Sequence, residues 1–175
     1  MKRPVRYIVQ GGIIAAVYFV VTLIQSFLPG NLAFGPIQIR IAEAMMILPL
    51  FTPAAVPGLA LGCFLSNLLS PLGWVDWVFG TLATLIAAIL VRLLRRGKWI
   101  SPVYPVVVNA FVVGFELNIV LGLPFWLNVS YVAIGEVLAC FGLGLPLMIL
   151  LEKMKARLFP EEPKRPASRA DADRQ

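Results

Sequence analysis

Residues 39–69 read IRIAEAMMILPLFTPAAVPGLALGCFLSNLL, an almost uninterrupted apolar run. As a single α-helix this run would be about 45 Å long, whereas the hydrocarbon core of a bilayer is about 30 Å thick. The segment TPAAVP interrupts it midway with Pro53 and Pro57, and proline breaks the interior of a helix. We therefore predict that residues 39–69 form two short helices that cross the membrane as a hairpin.

The composition is typical of a chain that is mostly embedded in lipid. Hydrophobic residues make up 59% of the 175 residues, charged residues make up 14%, and the mean hydropathy is +0.86. A soluble domain with a solvated surface rarely has this balance. Further apolar runs, separated by Pro and Gly, lie at residues 7–28, 75–94, 103–121 and 125–151. We expect an all-α, multi-pass protein of the cell (inner or plasma) membrane.

Basic residues predict how the chain is oriented. Cytoplasmic loops of membrane proteins are enriched in Lys and Arg, and three clusters lie at the ends of apolar runs: Lys2, Arg3 and Arg6; Arg92, Arg95, Arg96 and Lys98; Lys153, Lys155 and Arg157. All three clusters lie on the cytoplasmic side only if an even number of membrane crossings separates them. That requires the hairpin at residues 39–69 to cross the membrane twice. We predict a six-transmembrane-helix bundle at residues 1–152 with both termini cytoplasmic, followed by a charged, Pro-rich, disordered tail at residues 153–175. Such end clusters argue against binding of nucleic acid.

Ionisable residues within the apolar runs are candidates for a functional site, because a charge at mid-bilayer costs about 2.5–3.5 kcal/mol. Arg40 and Glu43 are three residues apart and share a helix face, so a structural ion pair is the alternative interpretation. Asp76 precedes a long apolar run and could simply stabilise the N-terminus of its helix.

Asn109 and Glu116 lie two helical turns apart, on one face, and Glu136 lies deep in the last run. Hydrogen bonds between helices are the structural alternative for these residues. A carboxylate accepts two hydrogen bonds, which suits two adjacent N–H donors, an alkylammonium group or a cation. These residues alone leave two functions open: binding of a guanine-like base, and a stand-alone cation- or proton-coupled carrier.

Several chemistries lack the residues that they require. The chain has no histidine, and Cys63 and Cys140 are isolated within apolar runs, where cysteine is a small packing residue. It also has no Gly-x-x-x-x-Gly-Lys-Ser/Thr loop, so it cannot hydrolyse ATP with a P-loop. We predict no catalytic residue, no metal site and no cofactor.

Four segments resemble the QueT family of queuosine-precursor transporters: FGPIQIRIAEAMMILPLFTPAAVPGLALG at 34–62, SPLGWVDWVFGTLATLIAA at 70–88, YPVVVNAFVVG at 104–114 and AIGEVLACFGLG at 133–144. The resemblance extends over residues 7–152. It implies a substrate-binding S component of an energy-coupling factor (ECF) transporter, which captures a 7-deazaguanine queuosine precursor outside the cell. A membrane-embedded T component and two cytoplasmic ATPases would then power its import.

The resemblance also supplies the candidates for substrate-binding side chains. The matching polar positions are Gln38, Arg40, Glu43, Asp76, Asn109 and Glu136, and Glu116 follows a matching segment directly. Phe34, Trp74 and Trp126 could stack on the base, or could anchor the protein at the membrane interface. An S component for a different vitamin remains the alternative.

Small residues in the first run form a candidate docking face. The segment GGIIAA places Gly11 four residues before Ala15, and Gly12 four residues before Ala16. Such spacing lets helix backbones approach closely in lipid. The resemblance implies that the T component docks on one of these pairs, whereas packing inside the bundle is the alternative.

Overall fold

The computed structural model describes residues 3–28 and 40–158, and each regular element in these ranges is a helix. Phe34, Gln38 and the predicted tail from residue 159 onward lie outside the described residues. The elements, in chain order, are α1 (Arg3–Ser26), a 3₁₀ helix (Ile41–Leu50), α2 (Ala55–Asn67), α3 (Trp74–Leu93), a short 3₁₀ turn (Arg95–Gly97), α4 (Val103–Leu121), α5 (Phe125–Val137), a π-helical segment (Leu138–Gly144) and α6 (Leu145–Leu158). The predicted all-α class is confirmed.

The long run at residues 39–69 does form two helices, as its prolines predicted. The 3₁₀ helix ends at Leu50 and α2 begins at Ala55, so the break lies at the predicted proline segment. A 3₁₀ helix rises about 2.0 Å per residue, and its ten residues therefore reach about 20 Å. The thirteen residues of α2 reach a similar length at about 1.5 Å per residue. The 3₁₀ form itself was not predicted.

One end of the bundle collects the basic residues. The Tyr7 hydroxyl donates to the carbonyl oxygen of Pro53 at 3.3 Å, which joins the start of α1 to the start of α2. Lys98 Nζ pairs with Glu152 Oε1 at 2.6 Å, which joins the region after α3 to α6. We call this the basic end, and its described basic residues are Arg6, Arg92, Arg95, Lys98 and Lys153.

The opposite end is formed where α1 and α2 finish and where the 3₁₀ helix and α3 begin. The Ile41 amide donates to Gln25 Oε1 at 3.0 Å, and Asn67 Nδ2 donates to the Asp76 carbonyl oxygen at 2.9 Å. The turn between α4 and α5 also lies here, where Gly122 adopts a positive φ of 67° to end α4. We call this the site end, because the candidate site residues Glu43 and Asp76 lie in the first turns of the 3₁₀ helix and α3. Successive long elements therefore alternate in direction.

Helix α2 packs directly on α1 because two glycines allow the backbones to touch. A Cβ atom on Gly58 would lie 2.7 Å from the Gly11 carbonyl oxygen, and one on Gly62 would lie 2.7 Å from Tyr18 Cβ. Both distances are shorter than any ordinary contact. This close approach fixes the position of α1, including Tyr18, relative to the rest of the core.

Helix length and hydropathy agree with a multi-pass membrane protein. Within the described ranges, the helices long and apolar enough to span a bilayer are Pro4–Ser26, Trp74–Leu93, Val103–Leu121 and Phe125–Met154, whereas the 3₁₀ helix and α2 are shorter. The predicted count of six crossings stays a prediction. The last helix contains a π-helical segment that the sequence did not predict, and α6 continues to Leu158, beyond the predicted domain end at residue 152.

Candidate functional site

Buried polar side chains near the site end form two neighbouring groups. The inner group lies deeper in the bundle and consists of Tyr18, Glu43, Asn109, Glu136 and Cys140. The outer group lies nearer the helix ends and consists of Arg40, Asn67, Asp76 and Glu116. All nine residues are buried. Together they bring α1, the 3₁₀ helix, α2, α3, α4 and α5 to one site.

In the inner group, Glu43 is held from one side by α1. Glu43 lies in the first turn of the 3₁₀ helix, is 0% exposed, and accepts a hydrogen bond at Oε1 from the Tyr18 hydroxyl. The Tyr18 contact therefore orients the carboxylate and leaves its second oxygen, Oε2, available.

The other half of the inner group links α4 to α5 and to the π-helical segment. Asn109 Nδ2 donates to Glu136 Oε1 at 2.9 Å. The Cys140 thiol lies 3.5 Å from Glu136 Oε2 and 3.5 Å from the Glu43 carbonyl oxygen. The side chain of Asn109 also lies near Glu43. Segments of π-helix occur frequently at functional sites, and this one supplies Cys140.

The outer group is built on a buried ion pair. Arg40 Nη2 lies 3.4 Å from Asp76 Oδ2, and both side chains are almost fully shielded from solvent. Asn67 holds the backbone of Asp76 from α2. Glu116 on α4 lies near both members of the pair. Arg40 thus has an ion-pair partner, Asp76, that the sequence did not predict.

Many buried oxygens of the two groups meet no hydrogen-bond donor in the described part of the chain. They are Glu43 Oε2, Asn67 Oδ1, Asp76 Oδ1, Asn109 Oδ1, Glu116 Oε1 and Glu116 Oε2. Buried polar atoms are normally hydrogen-bonded, and leaving one unpaired costs about 1–3 kcal/mol. Buried atoms on α3 that also lack a partner are Trp77 Nε1 and Thr81 Oγ1. The two groups together therefore offer a large excess of acceptors.

Formal charge in the two groups is also unbalanced. Four carboxyl groups, those of Glu43, Asp76, Glu116 and Glu136, accompany the single guanidinium group of Arg40. Buried charges are costly unless they are paired. No three His, Cys, Asp and Glu side chains in the described ranges are grouped as metal ligands. An organic molecule that is rich in hydrogen-bond donors fits this chemistry.

Most of the residues singled out in the sequence meet in these two groups: Arg40, Glu43, Asp76, Asn109, Glu116 and Glu136. Gln38 and Phe34 lie outside the described residues. Trp74 and Trp126 are 66% and 69% exposed on the surface of the bundle, so they do not line the buried groups. Their exposure near the helix ends suits anchoring at the membrane interface.

Tyr18 and Asn67 were not among the predicted site residues. Tyr18, Thr22 and Gln25 are all buried on one face of α1, at spacings of four and three residues. That spacing of polar residues in an apolar helix is a signal that the sequence contains. Asn67 stands near the end of the second helix of the hairpin, and only the turn that follows brings it to Asp76.

The four small residues of α1 separate into two faces. Gly11 and Ala15 point inward, and their backbones contact α2 at Gly58 and Gly62. Gly12 and Ala16 are exposed, and a Cβ atom on Gly12 would have no neighbour within 4 Å.

Comparisons with known proteins give one consistent result. A family model described as QueT transporter matches residues 8–153. The chain is 30% identical over 155 residues to a protein named queuosine precursor transporter QueT from Lactococcus lactis subsp. cremoris (strain MG1363), an alignment that covers 81% of this chain and 90% of that protein. No solved structure matches the chain significantly.

The buried ion pair generates a prediction about stability. Arg40→Gln should lower the free energy of unfolding by about 3–5 kcal/mol, because it leaves Asp76 buried without its cation. Asp76→Asn should act similarly, and the double variant should lose less than the sum of the two single losses. Denaturant unfolding of the purified protein in detergent measures all three.

The matched control for this cycle is Glu152→Gln, which removes the exposed pair with Lys98 and should change the stability by at most about 1 kcal/mol. Strictly additive losses in the double variant would contradict a direct interaction between Arg40 and Asp76.

Proposed function

Because the chain belongs to the QueT transporter family, we propose that this membrane protein binds a queuosine precursor with a 7-deazaguanine base at the site end. The two matches confirm the resemblance to the QueT family that the sequence predicted. The excess of buried, unpartnered acceptors carries the proposal, because the guanine-like edge of such a base is rich in N–H donors. The name of the Lactococcus relative supports the choice of substrate.

The inner group recognises the edge of the base. The ring N–H and the neighbouring amino group of the base point in parallel, as two adjacent donors. Glu43 Oε2 and Asn109 Oδ1 are the free acceptors of this group. Tyr18 orients Glu43, and Glu136 orients Asn109. Glu43 and Asn109 thus bind the base directly, while Glu136 determines which way the amide of Asn109 points.

The chain crosses the membrane six times, with both termini in the cytoplasm and the site end toward the outside. The collection of basic residues at the opposite end supports this orientation, since Lys and Arg are enriched on the cytoplasmic side. The 3₁₀ helix and α2 provide the two short crossings. The membrane domain covers residues 1–152, and residues 153–175 continue it into the cytoplasm.

Import requires partners that supply energy. The chain acts as the S component of an ECF transporter, and the T component docks on the face of α1 that carries Gly12 and Ala16. Exposure of these two residues supports this choice, because α2 already covers Gly11 and Ala15. Two cytoplasmic ATPases provide the hydrolysis for which this chain has no P-loop.

Single cysteines test the orientation. In a background that lacks Cys63 and Cys140, Leu123→Cys at the site end should react with a membrane-impermeant thiol reagent added to intact cells. Pro53→Cys at the basic end should react only after the cells are permeabilised. Both positions are exposed in the structure. Labelling of Pro53→Cys in intact cells would contradict six crossings with a cytoplasmic N-terminus.

Calorimetry tests the assignment of the inner group. The purified full chain in detergent should bind a 7-deazaguanine base without any partner. Glu43→Gln should weaken this binding by about 2–5 kcal/mol, or tens- to thousands-fold, because it removes a charged acceptor that the base contacts. Glu136→Gln should also weaken binding, but less than Glu43→Gln, because the amide keeps one oxygen that accepts from Asn109 Nδ2 and loses only the charge of that acceptor.

Glu152→Gln serves as the control for binding, since Glu152 lies at the basic end and should leave the affinity unchanged. Unchanged affinity in both Glu43→Gln and Glu136→Gln would contradict the site. Preferential binding of thiamine or riboflavin would contradict the choice of substrate.

Replacement of Gly12 and Ala16 by Leu tests the docking face. The double variant should fail to co-purify with the T component and should not support uptake, because two large side chains separate the helix backbones. Its affinity for the base should match that of the unaltered chain. Uptake into proteoliposomes by the chain alone would contradict the ECF function and would favour the stand-alone carrier.

A further inference from the structure

We infer that Glu116 determines specificity by binding a protonated amine on the ligand, so that the substrate is a cationic base rather than a neutral one. Among 7-deazaguanines, this selects a base with an aminomethyl substituent over one with a cyano substituent. The inference rests on the proposed function for the identity of the ring. It concerns the outer group, whereas the edge of the ring binds in the inner group.

Glu116 is the least satisfied side chain of the site. It is 2% exposed, and neither of its oxygens meets a hydrogen-bond donor among the described residues. Nearby acceptors of the outer group, Asp76 Oδ1 and Asn67 Oδ1, also have no donor. A carboxylate that is shielded from water and has no partner would be strongly unfavourable as an anion. A ligand that supplies positive charge would remove this penalty.

The charges of the outer group indicate a cation rather than a neutral donor. Asp76 and Glu116 contribute two carboxylates, and Arg40 contributes one guanidinium group, which already pairs with Asp76. An ammonium group carries three donors and the missing positive charge. A nitrile carries neither, and it would direct its acceptor nitrogen toward a group of acceptors. The outer group therefore discriminates between the two substituents by charge and by hydrogen-bonding polarity.

The spacing of the two groups suits one molecule that bridges them. Asn109 and Glu116 lie on the same face of α4, seven residues and hence about 10 Å apart along the helix axis. A fused bicyclic base with a one-carbon arm reaches across such a distance when hydrogen bonds are added at both ends. The ring edge then meets Glu43 and Asn109, and the amine meets Glu116.

Calorimetry with two probes tests this inference on the purified full chain. The unaltered chain should bind 7-aminomethyl-7-deazaguanine about 10- to 100-fold more tightly than 7-cyano-7-deazaguanine, the range expected for one charge-assisted hydrogen bond. Glu116→Gln should abolish most of this preference by weakening the aminomethyl base alone. Retained affinity for the cyano base also reports that the variant is folded.

Two further variants sharpen the comparison. Glu152→Gln removes a carboxylate at the basic end and should preserve both affinities. Glu116→Asp keeps the negative charge and should therefore keep the preference for the amine, although the carboxylate of the shorter side chain lies farther from the ligand. This variant decides the role of the charge if Glu116→Gln does not fold.

The outcomes separate this inference from the function on which it rests. Equal or tighter binding of the cyano base by the unaltered chain would overturn the inference and leave the proposed function intact. A Glu116→Gln variant that weakens both bases equally would overturn the role of Glu116. Failure of the unaltered chain to bind either base would overturn the proposed function itself.

Discussion

The Glu43 carboxylate is the point on which the rest of this structure depends. It is fully buried in a bundle that is surrounded by lipid. The cost of burying this polar group must therefore be offset by contacts from other helices. Tyr18 reaches it from α1, Cys140 reaches its backbone from the π-helical segment, and Asn109 lies near it on α4. These contacts bring together segments that are separated in the sequence by up to 97 residues. The helix packing is arranged around this carboxyl group.

That arrangement requires α1 to lie unusually close to α2. A side chain at Gly62 would collide with Tyr18 at its Cβ atom, and one at Gly58 would collide with the α1 backbone. The two glycines have no polar atom in the site. They nevertheless determine how far Tyr18 extends toward Glu43, because Gly62 packs directly against the Cβ atom of Tyr18.

The unpartnered acceptors lower the stability of the bundle. A bundle optimised for stability alone would give each buried oxygen a donor or replace it with an apolar group. In the described structure, both carboxyl oxygens of Glu116 and one carboxyl oxygen of Glu43 instead have no hydrogen-bond donor. Conflicts of this kind are concentrated at functional sites.

Local sequence determined the helical class, the positions of the apolar runs and the division of residues 39–69 at its prolines. It also determined which charges would be buried, because hydropathy and proline act on neighbouring residues. Tertiary structure alone decided that Arg40 pairs with Asp76, that Tyr18 contacts Glu43, and that Gly11 and Ala15 face inward. These outcomes depend on the rotation of each helix about its axis, which is set by contacts between segments far apart in the chain.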